Sequence, residues 1–332
     1  MATNRIAVAG AGSIGCFVGG MLAAAGRDVA MLARPRVTAE IQAHGLRLTG
    51  VGGPDRHVPV QQLALSDEAT ILHGAAVILV AVKSADTAGI ADLIARHAAE
   101  DAVVVSLQNG VGNVAVLRER LPGRSVLGGM VPFNVIAPGD GHYHRATSGD
   151  IAIESDAAGT ATQLSVTDLI MRPADDIVAV QWGKLLVNLN NALNALSGRP
   201  LREQLAQRAW RRLFADQMAE GLAVLQAEGI RPISATPIPA SLTPHLLRLP
   251  DFLFARLLGR TMKIDPTARS SMWDDLQRGR RTEIDYLQGV IVQLAERHRI
   301  DAPLSRRIVE LVKRAEAEAQ GSPGLTAEAI RG

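Results

Sequence analysis

The sequence has only one cysteine, Cys16, among its 332 residues, which excludes an internal disulfide and a cysteine-rich zinc site. Because such sparse use of cysteine is typical of a reducing compartment, we expect a cytoplasmic protein. An excess of charge of one sign is also missing, since 35 basic and 33 acidic residues leave a formal net charge of +2. This near-neutral balance argues against a nucleic acid as the main partner.

No hydrophobic run is long enough to cross a bilayer. The apolar stretch at residues 14–25 is too short, and neither a basic segment nor a clear cleavage site frames it. We therefore expect no membrane association. The composition is that of a globular protein, 47% apolar and 20% charged, and the length suits about two domains.

Several motifs of other enzyme classes are absent as well. The sequence has no G-x-S-x-G, H-E-x-x-H or P-loop pattern, no internal repeat and no low-complexity tract. His142 and His144 would point the same way from a strand, but no further cluster of metal-ligand residues accompanies them. Cys16 lies in an apolar helical segment and is expected to be a small buried residue.

The first half of the chain alternates short apolar runs with longer amphipathic ones. Runs typical of strands buried on both faces of a parallel sheet lie at residues 5–9, 29–32, 77–82 and 103–107. Helix-like segments separate them, at residues 14–25, 38–44, 86–99 and 113–121. This alternation predicts a doubly wound, Rossmann-type α/β sheet. Its last strands are predicted around residues 126–131, 143–146 and 151–154, with a turn at residues 138–141.

The periodicity becomes helical after about residue 175. Long helical segments are predicted at residues 178–196, 202–228, 270–297 and 303–319. A proline-rich connection lies at residues 231–250, and residues 321–332 are predicted to form a frayed tail. We therefore predict a Rossmann-type domain of residues 1–174 and an all-α domain of residues 175–332.

A glycine-rich segment, Gly10-Ala11-Gly12-Ser13-Ile14-Gly15, directly follows the first predicted strand. In this G-x-G-x-x-G pattern the first glycine permits a tight turn, the second lets the backbone approach a pyrophosphate, and the third allows close helix–strand packing. The N–H groups at the start of the next helix, at Ser13 and Ile14, suit the anion. An ordinary glycine-rich turn is the alternative. The dinucleotide site is favoured because the flanking strands, the helix and its terminating Gly26 are all in place.

The end of the second predicted strand decides between NAD and NADP. An acidic side chain at this position would bind the ribose 2′-hydroxyl of NAD. The sequence instead has Arg34 and Arg36, with no acidic residue before Glu40. Because two guanidinium groups suit a 2′-phosphate, we predict NADPH as the cofactor and Arg34 as its main contact. The alternative, a pair of solvated surface charges, fits Arg36 better than Arg34.

The first predicted helix of the second domain presents amides on one face. Lys184, Asn188 and Asn191 are spaced i, i+4, i+7, and the opposing apolar stripe consists of Leu185, Leu189, Leu193 and Leu196. A solvated polar face is the alternative. Such faces usually carry lysine and glutamate, however, and asparagine has a low helix propensity. We therefore predict that this face lines a cleft.

Two further polar residues have competing interpretations. Ser271 and Asp274 have the form of a capping box that opens a helix, which is compatible with a substrate contact by Ser271. Glu283 could be an exposed neighbour of an i, i+4 pair between Arg281 and Asp285. It borders the predicted buried stripe of this helix, which consists of Ile284, Leu287, Ile291 and Leu294. From spacing alone, exposure and a functional role are equally well supported for Glu283.

Several segments resemble the ketopantoate reductase (2-dehydropantoate 2-reductase) family, part of the wider 6-phosphogluconate dehydrogenase-like superfamily. In the first half the resembling segments are residues 10–15, Val82-Lys83 and Leu107-Gln108-Asn109-Gly110. In the second half they are Trp182-Gly183-Lys184-Leu185 with Asn188, Ser270-Ser271-Met272, and Arg281-Thr282-Glu283-Ile284-Asp285. They span most of the chain in the family's order, and no general folding rule demands them at those places.

The resemblance implies NADPH-dependent reduction of a 2-keto acid to a 2-hydroxy acid, with ketopantoate becoming pantoate on the route to pantothenate. Lys184 would be the general acid that protonates the carbonyl oxygen, and Glu283 would hold the substrate hydroxyl. Ser271 would contact the substrate carboxylate, and Lys83 would lie near the adenosine phosphate. Substrate and nicotinamide would be oriented by two amides, those of Asn109 and Asn188.

The sequence departs from the family pattern at the substrate end. Many relatives have a second asparagine eight residues after the lysine, where this chain has Ala192, and another where it has Ala268. Asn191 would replace the first of these if the helix shifts by one residue. The stretch at residues 231–266 could also reshape one wall of the cleft. Cofactor and reaction type are therefore better supported than the identity of the keto acid.

Two other functions stay open. One is a sister reductase or dehydrogenase of a different 2-keto or 2-hydroxy acid. The other, from a different class, is a non-catalytic regulator that binds NADPH, and the retained Lys184 and Glu283 argue against it. The partner expected of the enzyme is a small-molecule 2-keto acid, and the helical domain offers surfaces for a homodimer.

Overall fold

The computed structural model describes residues 4–50, 53, 55–234, 238–258 and 267–332. The chain divides between Val178 and Ala179 into two compact units. The first unit combines β-sheets with helices and the described part of the second is helical, which confirms the predicted fold class. Within the described residues, no helix is both long and apolar enough to cross a membrane.

The strands all lie in the first unit as far as the chain is described. They are β1 (Ile6–Ala9), β2 (Val29–Leu32), β3 (Leu46–Gly50), β4 (Asp55–Val58), β5 (Ala64–Ser66), β6 (Val77–Val80), β7 (Val103–Ser106), β8 (Val126–Met130), β9 (Val135–Gly139), β10 (His142–Arg145), β11 (Ile151–Glu154) and β12 (Met171–Ala174). The helices of this unit are α1 (Ser13–Ala24), α2 (Pro35–His44), α3 (Thr87–His97), α4 (Asn113–Arg120) and α5 (Thr160–Leu164).

The larger sheet has the strand order β12-β11-β8-β7-β6-β1-β2-β5, with all neighbours parallel except β8 and β11. The central strand β1 is buried on both faces, since Val8 belongs to one apolar core and Ala7 and Ala9 to the other. A glycine lets α1 approach this sheet, because a Cβ at Gly19 would lie 2.6 Å from Met31 Cε. The parallel order brings the loops after β1, β2, β6 and β7 to one edge of the sheet.

A second sheet, of order β4-β3-β10-β9, corrects one prediction. Residues 143–146 do not extend the main sheet, because β10 pairs with β3 and β9 instead. The burial pattern is consistent with this pairing. His142 and His144 are half-buried on either side of the buried Tyr143, which is typical of a strand with one solvated face rather than of a strand buried on both faces. The predicted turn at residues 138–141 is confirmed as the β9–β10 connection.

His142 and His144 point the same way, as predicted. His142 Nε2 and His144 Nδ1 both contact the hydroxyl of Thr49, at 2.8 and 2.7 Å. No cluster of three or more His, Cys, Asp or Glu that could hold a metal ion occurs in the part of the chain that the structure describes. Cys16 is buried, as predicted, and burial raises the pKa of its thiol to about 12. This cysteine is therefore a packing residue with little thiolate character.

The second unit consists of short and medium helices, of which the first begins just before the unit boundary. They are α6 (Ile177–Asn188), α7 (Asn190–Ser197), α8 (Leu201–Ala206), α9 (Arg208–Ala227), α10 (Thr243–Leu247), α11 (Asp251–Leu258), α12 (Ser271–Gln277), α13 (Gln288–His298), α14 (Pro303–Glu318) and α15 (Ala327–Arg331).

Three of the predicted long helices are divided, the one at residues 178–196 only at Leu189, and the other two by clear breaks. The segment at residues 202–228 forms α8 and α9, because Gln207 between them has an extended backbone with φ −93° and ψ 126°. The segment at residues 270–297 forms α12 and α13. Gly279, whose φ is +59°, ends the first of these, and a 3-10 turn at Ile284–Tyr286 precedes the second.

The prediction of a frayed C-terminal tail is wrong. Ser322 Oγ donates a hydrogen bond of 2.6 Å to the carbonyl of Ala195, and the N–H of Leu325 donates one of 2.9 Å to the carbonyl of Leu196. These bonds satisfy carbonyls at the C-terminal end of α7, which has no further turn to satisfy them. Ile330 of α15 is fully buried. The tail is therefore a packed part of the helical unit.

Candidate active site

The three glycines of the loop after β1 are required for different structural reasons, or in one case not required by the fold at all. Gly10 has a φ of +106°, and a Cβ there would lie 2.5 Å from Val82 Cγ1. A Cβ at Gly15 would overlap the carbonyl oxygen of Gly10. At Gly12, by contrast, φ is −86°, and apart from its chain neighbours no atom of the described residues lies within 4 Å of a Cβ position. Neither conformation nor packing requires glycine at this position, so its open backbone suits a group that approaches from outside the chain.

The N-terminus of α1 provides donors beside this loop. The first helical hydrogen bond runs from the N–H of Cys16 to the carbonyl of Gly12, at 2.8 Å. The N–H groups of Ser13, Ile14 and Gly15 precede that bond and therefore have no acceptor within the helix. No acidic residue lies in the first turn of α1. Loop and helix together fit the pyrophosphate of a dinucleotide.

Arg34 and Arg36 follow β2, but only one of them is turned away from its own helix. Arg36 Nη1 lies 3.2 Å from Glu40 Oε2, one turn further along α2. Arg34 precedes α2, has a side chain that is 83% exposed, and places Nη2 3.7 Å from Asp86 Oδ2. Of the two arginines after β2, Arg34 is therefore the one whose guanidinium does not pair within α2.

Lys83 and Asn109 follow the neighbouring strands β6 and β7. Lys83 is partly exposed and Asn109 is exposed. Two bonds tie their loops together, since Ser84 Oγ donates a hydrogen bond to the carbonyl of Asn109 at 3.2 Å and accepts one from Asn113 Nδ2 at 3.2 Å. The structure therefore brings the loops that carry both predicted residues together at the edge of the sheet where the glycine loop lies.

Beneath these loops lies a network of buried polar side chains that was not predicted from the sequence. Gln108 Nε2 donates to the hydroxyl of Thr87 at 2.8 Å and to the carbonyl of Val82 at 3.2 Å. The hydroxyl of Thr87 lies 2.9 Å from Asn113 Oδ1. These side chains hold the positions of the loops after β6 and β7. Polar residues after a strand resemble an ordinary surface loop in sequence, so only the burial of Gln108 and Asn113 identifies them.

Lys184 lies on α6 in the helical unit. Its side chain is only partly exposed, and desolvation by burial lowers the pKa of its ammonium group to about 8. Trp182, two residues before it, is buried in the core. A lysine whose pKa lies close to neutrality is suited to proton transfer.

Gly183 allows another part of the chain to pass directly over α6. A Cβ at Gly183 would overlap the carbonyl oxygen of Ile233. The N–H of Ile233 donates a 2.9 Å hydrogen bond to the carbonyl of Ala179, which holds this segment against the helix. Glycine before Lys184 is therefore a packing requirement that helix periodicity alone does not predict.

We expect Gly183→Ala to destabilise the helical unit by about 2–3 kcal/mol or more, because the atom in the way is backbone rather than a flexible side chain. Thermal unfolding followed by circular dichroism measures this loss. Gly289→Ala on α13 is the matched control, since a Cβ there would meet its nearest neighbours at 3.5 Å. If both variants unfold at the same temperature, the proposed contact with Ile233 is contradicted.

The asparagine-rich segment divides into interior and outward residues. Asn194 is fully buried and donates to Gln204 Oε1 at 3.0 Å, while its Oδ1 accepts the N–H of Ser270 at 2.8 Å. Asn188 is buried one turn after Lys184, and Asn191 is partly exposed. Asn194 therefore stabilises the interior, and it does not belong to the predicted face of Lys184, Asn188 and Asn191, which stays a prediction.

Helices α6 and α7 are nearly continuous. Leu189 between them keeps helical angles of φ −55° and ψ −30°. Lys184 and Asn188 lie on one face of α6, and the predicted leucine stripe is buried at Leu185, Leu189, Leu193 and Leu196.

The residue that caps α12 is Ser270 and not, as the sequence predicted, Ser271. Ser270 Oγ accepts a hydrogen bond from the N–H of Trp273, and its hydroxyl donates to the carbonyl of Asn191 at 2.9 Å. Ser271 is the first residue of α12 and is exposed. The capping-box interpretation of Ser271 is therefore wrong, and Ser270 brings the start of α12 next to Asn191.

Glu283 does not lie on a long helix. It directly precedes the 3-10 turn at Ile284–Tyr286 and is partly exposed. No helix spans Arg281 and Asp285 as the predicted i, i+4 pair requires, and Asp285 contacts Lys313 of α14 at 2.7 Å. Gln288 Nε2, five residues after Glu283, donates to the carbonyl of Leu189 at 2.7 Å. This bond ties the segment that carries Glu283 to the end of α6.

The two positions where the chain departs from the family pattern differ in their surroundings. Ala192 is fully buried, whereas Ala268 is partly exposed and its carbonyl accepts the N–H of Leu201 at 2.8 Å. The predicted cleft wall at residues 231–266 is described only in part, because residues 235–237 and 259–266 lie outside the described residues.

Comparison with known proteins gives consistent matches over both units. The family model described as ketopantoate reductase PanE/ApbA matches residues 6–157, and the model of its C-terminal part matches residues 176–316. A 2-dehydropantoate 2-reductase of Halobacterium salinarum is 28% identical, covering 95% of this chain and 99% of the relative. A crystal structure of a PanE/ApbA family ketopantoate reductase from Ralstonia eutropha is 32% identical with a TM-score of 0.81, covering 95% of this chain and 99% of that one.

A more distant solved structure shares the fold. It is a D-mandelate dehydrogenase in a ternary structure with NADH and anilino(oxo)acetate, 21% identical with a TM-score of 0.76. The match covers 95% of this chain and 99% of that one.

Proposed function

Because the chain belongs to the ketopantoate reductase family, we propose that it reduces 2-dehydropantoate, a 2-keto acid, to the 2-hydroxy acid pantoate with NADPH. The observation that carries this proposal is the environment of Lys184. Its ammonium group is desolvated to a pKa of about 8, and the contact of Gly183 with the Ile233 backbone holds its part of α6 in place.

In this proposal the first unit binds the cofactor. The open backbone at Gly12 and the N–H groups of Ser13, Ile14 and Gly15 would hold the pyrophosphate, and Arg34 would bind the 2′-phosphate. Lys83 and Asn109 would contact the dinucleotide from the loops after β6 and β7. When bound, NADPH supplies the hydride that reduces the carbonyl carbon.

The second unit would supply the proton. Lys184 donates a proton to the carbonyl oxygen as negative charge develops there, and a pKa near 8 keeps most of this lysine protonated at pH 7. Glu283 would accept a hydrogen bond from the hydroxyl that forms. Ser271 would donate to the substrate carboxylate, and the distal part of the acid would contact two amides, those of Asn188 and Asn191.

The test is a comparison of kcat/KM for ketopantoate, pyruvate-like keto acids and larger keto acids, each with NADPH and with NADH. Ketopantoate with NADPH is expected to be the best pair. If ketopantoate were the poorest substrate by orders of magnitude, a sister reductase of another keto acid would replace the proposal. Tight NADPH binding without turnover of any keto acid would instead support a non-catalytic regulator.

A further inference from the structure

Asp86 differs from the other residues around the dinucleotide site because it is acidic and faces Arg34. Its Oδ2 lies 3.7 Å from Arg34 Nη2. Both side chains are largely in solvent, with 55% of the Asp86 side chain and 83% of the Arg34 side chain exposed. Such an exposed pair contributes little to stability, so stability does not account for an acid at this position.

Helix capping does not account for Asp86 either. It immediately precedes α3, where an aspartate usually accepts a hydrogen bond from an N–H of the first turn. Here the side chain makes no such bond. The carboxylate lies near Arg34 instead, so a capping hydrogen bond does not explain this residue.

The position of Asp86 follows from the strand order. Strand β1 lies between β2 and β6 in the sheet. The loop after β1 is bonded to β2, through the N–H of Ala11 and the carbonyl of Leu32 at 2.9 Å, and Gly10 packs against Val82 after β6. Arg34 and Asp86 follow these two contact points closely in sequence. Their carboxylate–guanidinium pair therefore lies at the edge of the sheet that also carries the glycine loop.

We propose that Asp86 is a specificity-determining residue that weakens binding of the 2′-phosphate and so narrows the preference for NADPH over NADH. The proposal rests on the proposed function, in which Arg34 binds that phosphate. The carboxylate competes for the same guanidinium and repels a group that carries the same sign of charge. The 2′-hydroxyl of NADH is uncharged and can donate a hydrogen bond to a carboxylate, so NADH escapes this penalty.

The test is the variant Asp86→Asn, which removes the charge and keeps the shape. We expect the Kd for NADPH, measured by fluorescence titration of the full chain, to fall about three- to tenfold. The Kd for NADH should stay the same or rise. The gain should shrink at high salt because both groups are exposed. Asp92→Asn, on the helix α3 that follows Asp86 and paired with Arg120 at 3.1 Å, is the control that should change neither Kd.

An Asp86→Asn variant with an unchanged Kd for NADPH would overturn the proposal, as would an equal gain for both cofactors. Arg34→Gln tests the proposed function separately, since it should weaken NADPH binding about tenfold or more and leave NADH binding nearly unchanged. If Arg34→Gln has this effect and Asp86→Asn has none, only the role of Asp86 fails. If Arg34→Gln leaves NADPH binding unchanged, the assignment of Arg34 fails, and with it the competition on which the role of Asp86 depends.

Discussion

Replacement of Lys184 by alanine is expected to lower kcat for keto acid reduction by about 10²- to 10⁴-fold, the usual contribution of a well-placed general acid. The variant lacks the only group that we propose to protonate the carbonyl oxygen. The Kd for NADPH should change by less than about twofold, because the proposed cofactor contacts all belong to the first unit. Steady-state oxidation of NADPH and fluorescence titration measure the two quantities on the same preparation.

The pH dependence gives an independent readout of the same lysine. Since the pKa of Lys184 is lowered to about 8, the protonated form predominates below that pH and is lost as the pH rises through it. We therefore expect kcat/KM for reduction to be flat below about pH 8 and to fall about tenfold per pH unit above it. In Lys184→Arg the side chain stays charged, so this break should disappear and turnover should be lower throughout. An unchanged kcat in Lys184→Ala would reject the lysine as the acid.

The glycine-rich loop after β1 could be predicted from sequence because its pattern is carried by consecutive residues. A turn between a strand and a helix, with glycines at fixed positions, is a local arrangement, and the structure places residues 10–15 as expected. The sequence could not show which of these glycines is required by packing and which is not. Gly10 is required because Val82, from the loop after β6, packs against it, whereas nothing in the described chain packs near the Cβ position of Gly12.

The helical unit was harder to predict, because its site residues depend on contacts between distant segments. Periodicity predicted the buried leucines of α6 and α7, but it gave no prediction for Asn194, which is fully buried. Its interior position arises from two contacts, with Gln204 of α8 and with the N–H of Ser270 just before α12. A stretch such as residues 270–297 has helical periodicity across its whole length. The break at Gly279 follows from one positive φ angle that a periodic pattern does not register.

The C-terminal tail was mispredicted for a similar reason. Glycine, proline and serine at residues 321–324 are typical of a loop, and the structure indeed has a loop there. A loop composition does not show whether the backbone finds partners, however. The carbonyls of Ala195 and Leu196 need donors at the end of α7, and the tail provides them through Ser322 and Leu325.

Arg211 is a large fully buried side chain, and it connects four segments of the helical unit. Its Nη1 donates to the carbonyls of Leu205 and Ala206 at the end of α8, at 3.0 and 2.8 Å. Its Nε donates to the carbonyl of Leu247 at the end of α10, at 3.2 Å. Its Nη2 reaches the connection to α11 through Leu249 O and Asp251 Oδ1, at 2.9 and 2.7 Å. The guanidinium carbon lies 4.2 Å from the centroid of the Phe254 ring.

We therefore expect Arg211→Met to be strongly destabilising, by about 3–5 kcal/mol, because it leaves several helix-end carbonyls and a carboxylate without their donor. Arg211→Lys should recover only part of this loss, since an ammonium has three N–H groups and no fork that can reach both α8 and α10. Urea unfolding followed by circular dichroism should show the loss as a lower midpoint of the transition of the helical unit. Arg212→Met is the matched control, because Arg212 is the next residue on α9 and is exposed. Arg212→Met should change the free energy of unfolding by no more than about 0.5 kcal/mol. Equal midpoints for the Arg211 and Arg212 variants would show that the buried guanidinium of Arg211 does not stabilise the fold.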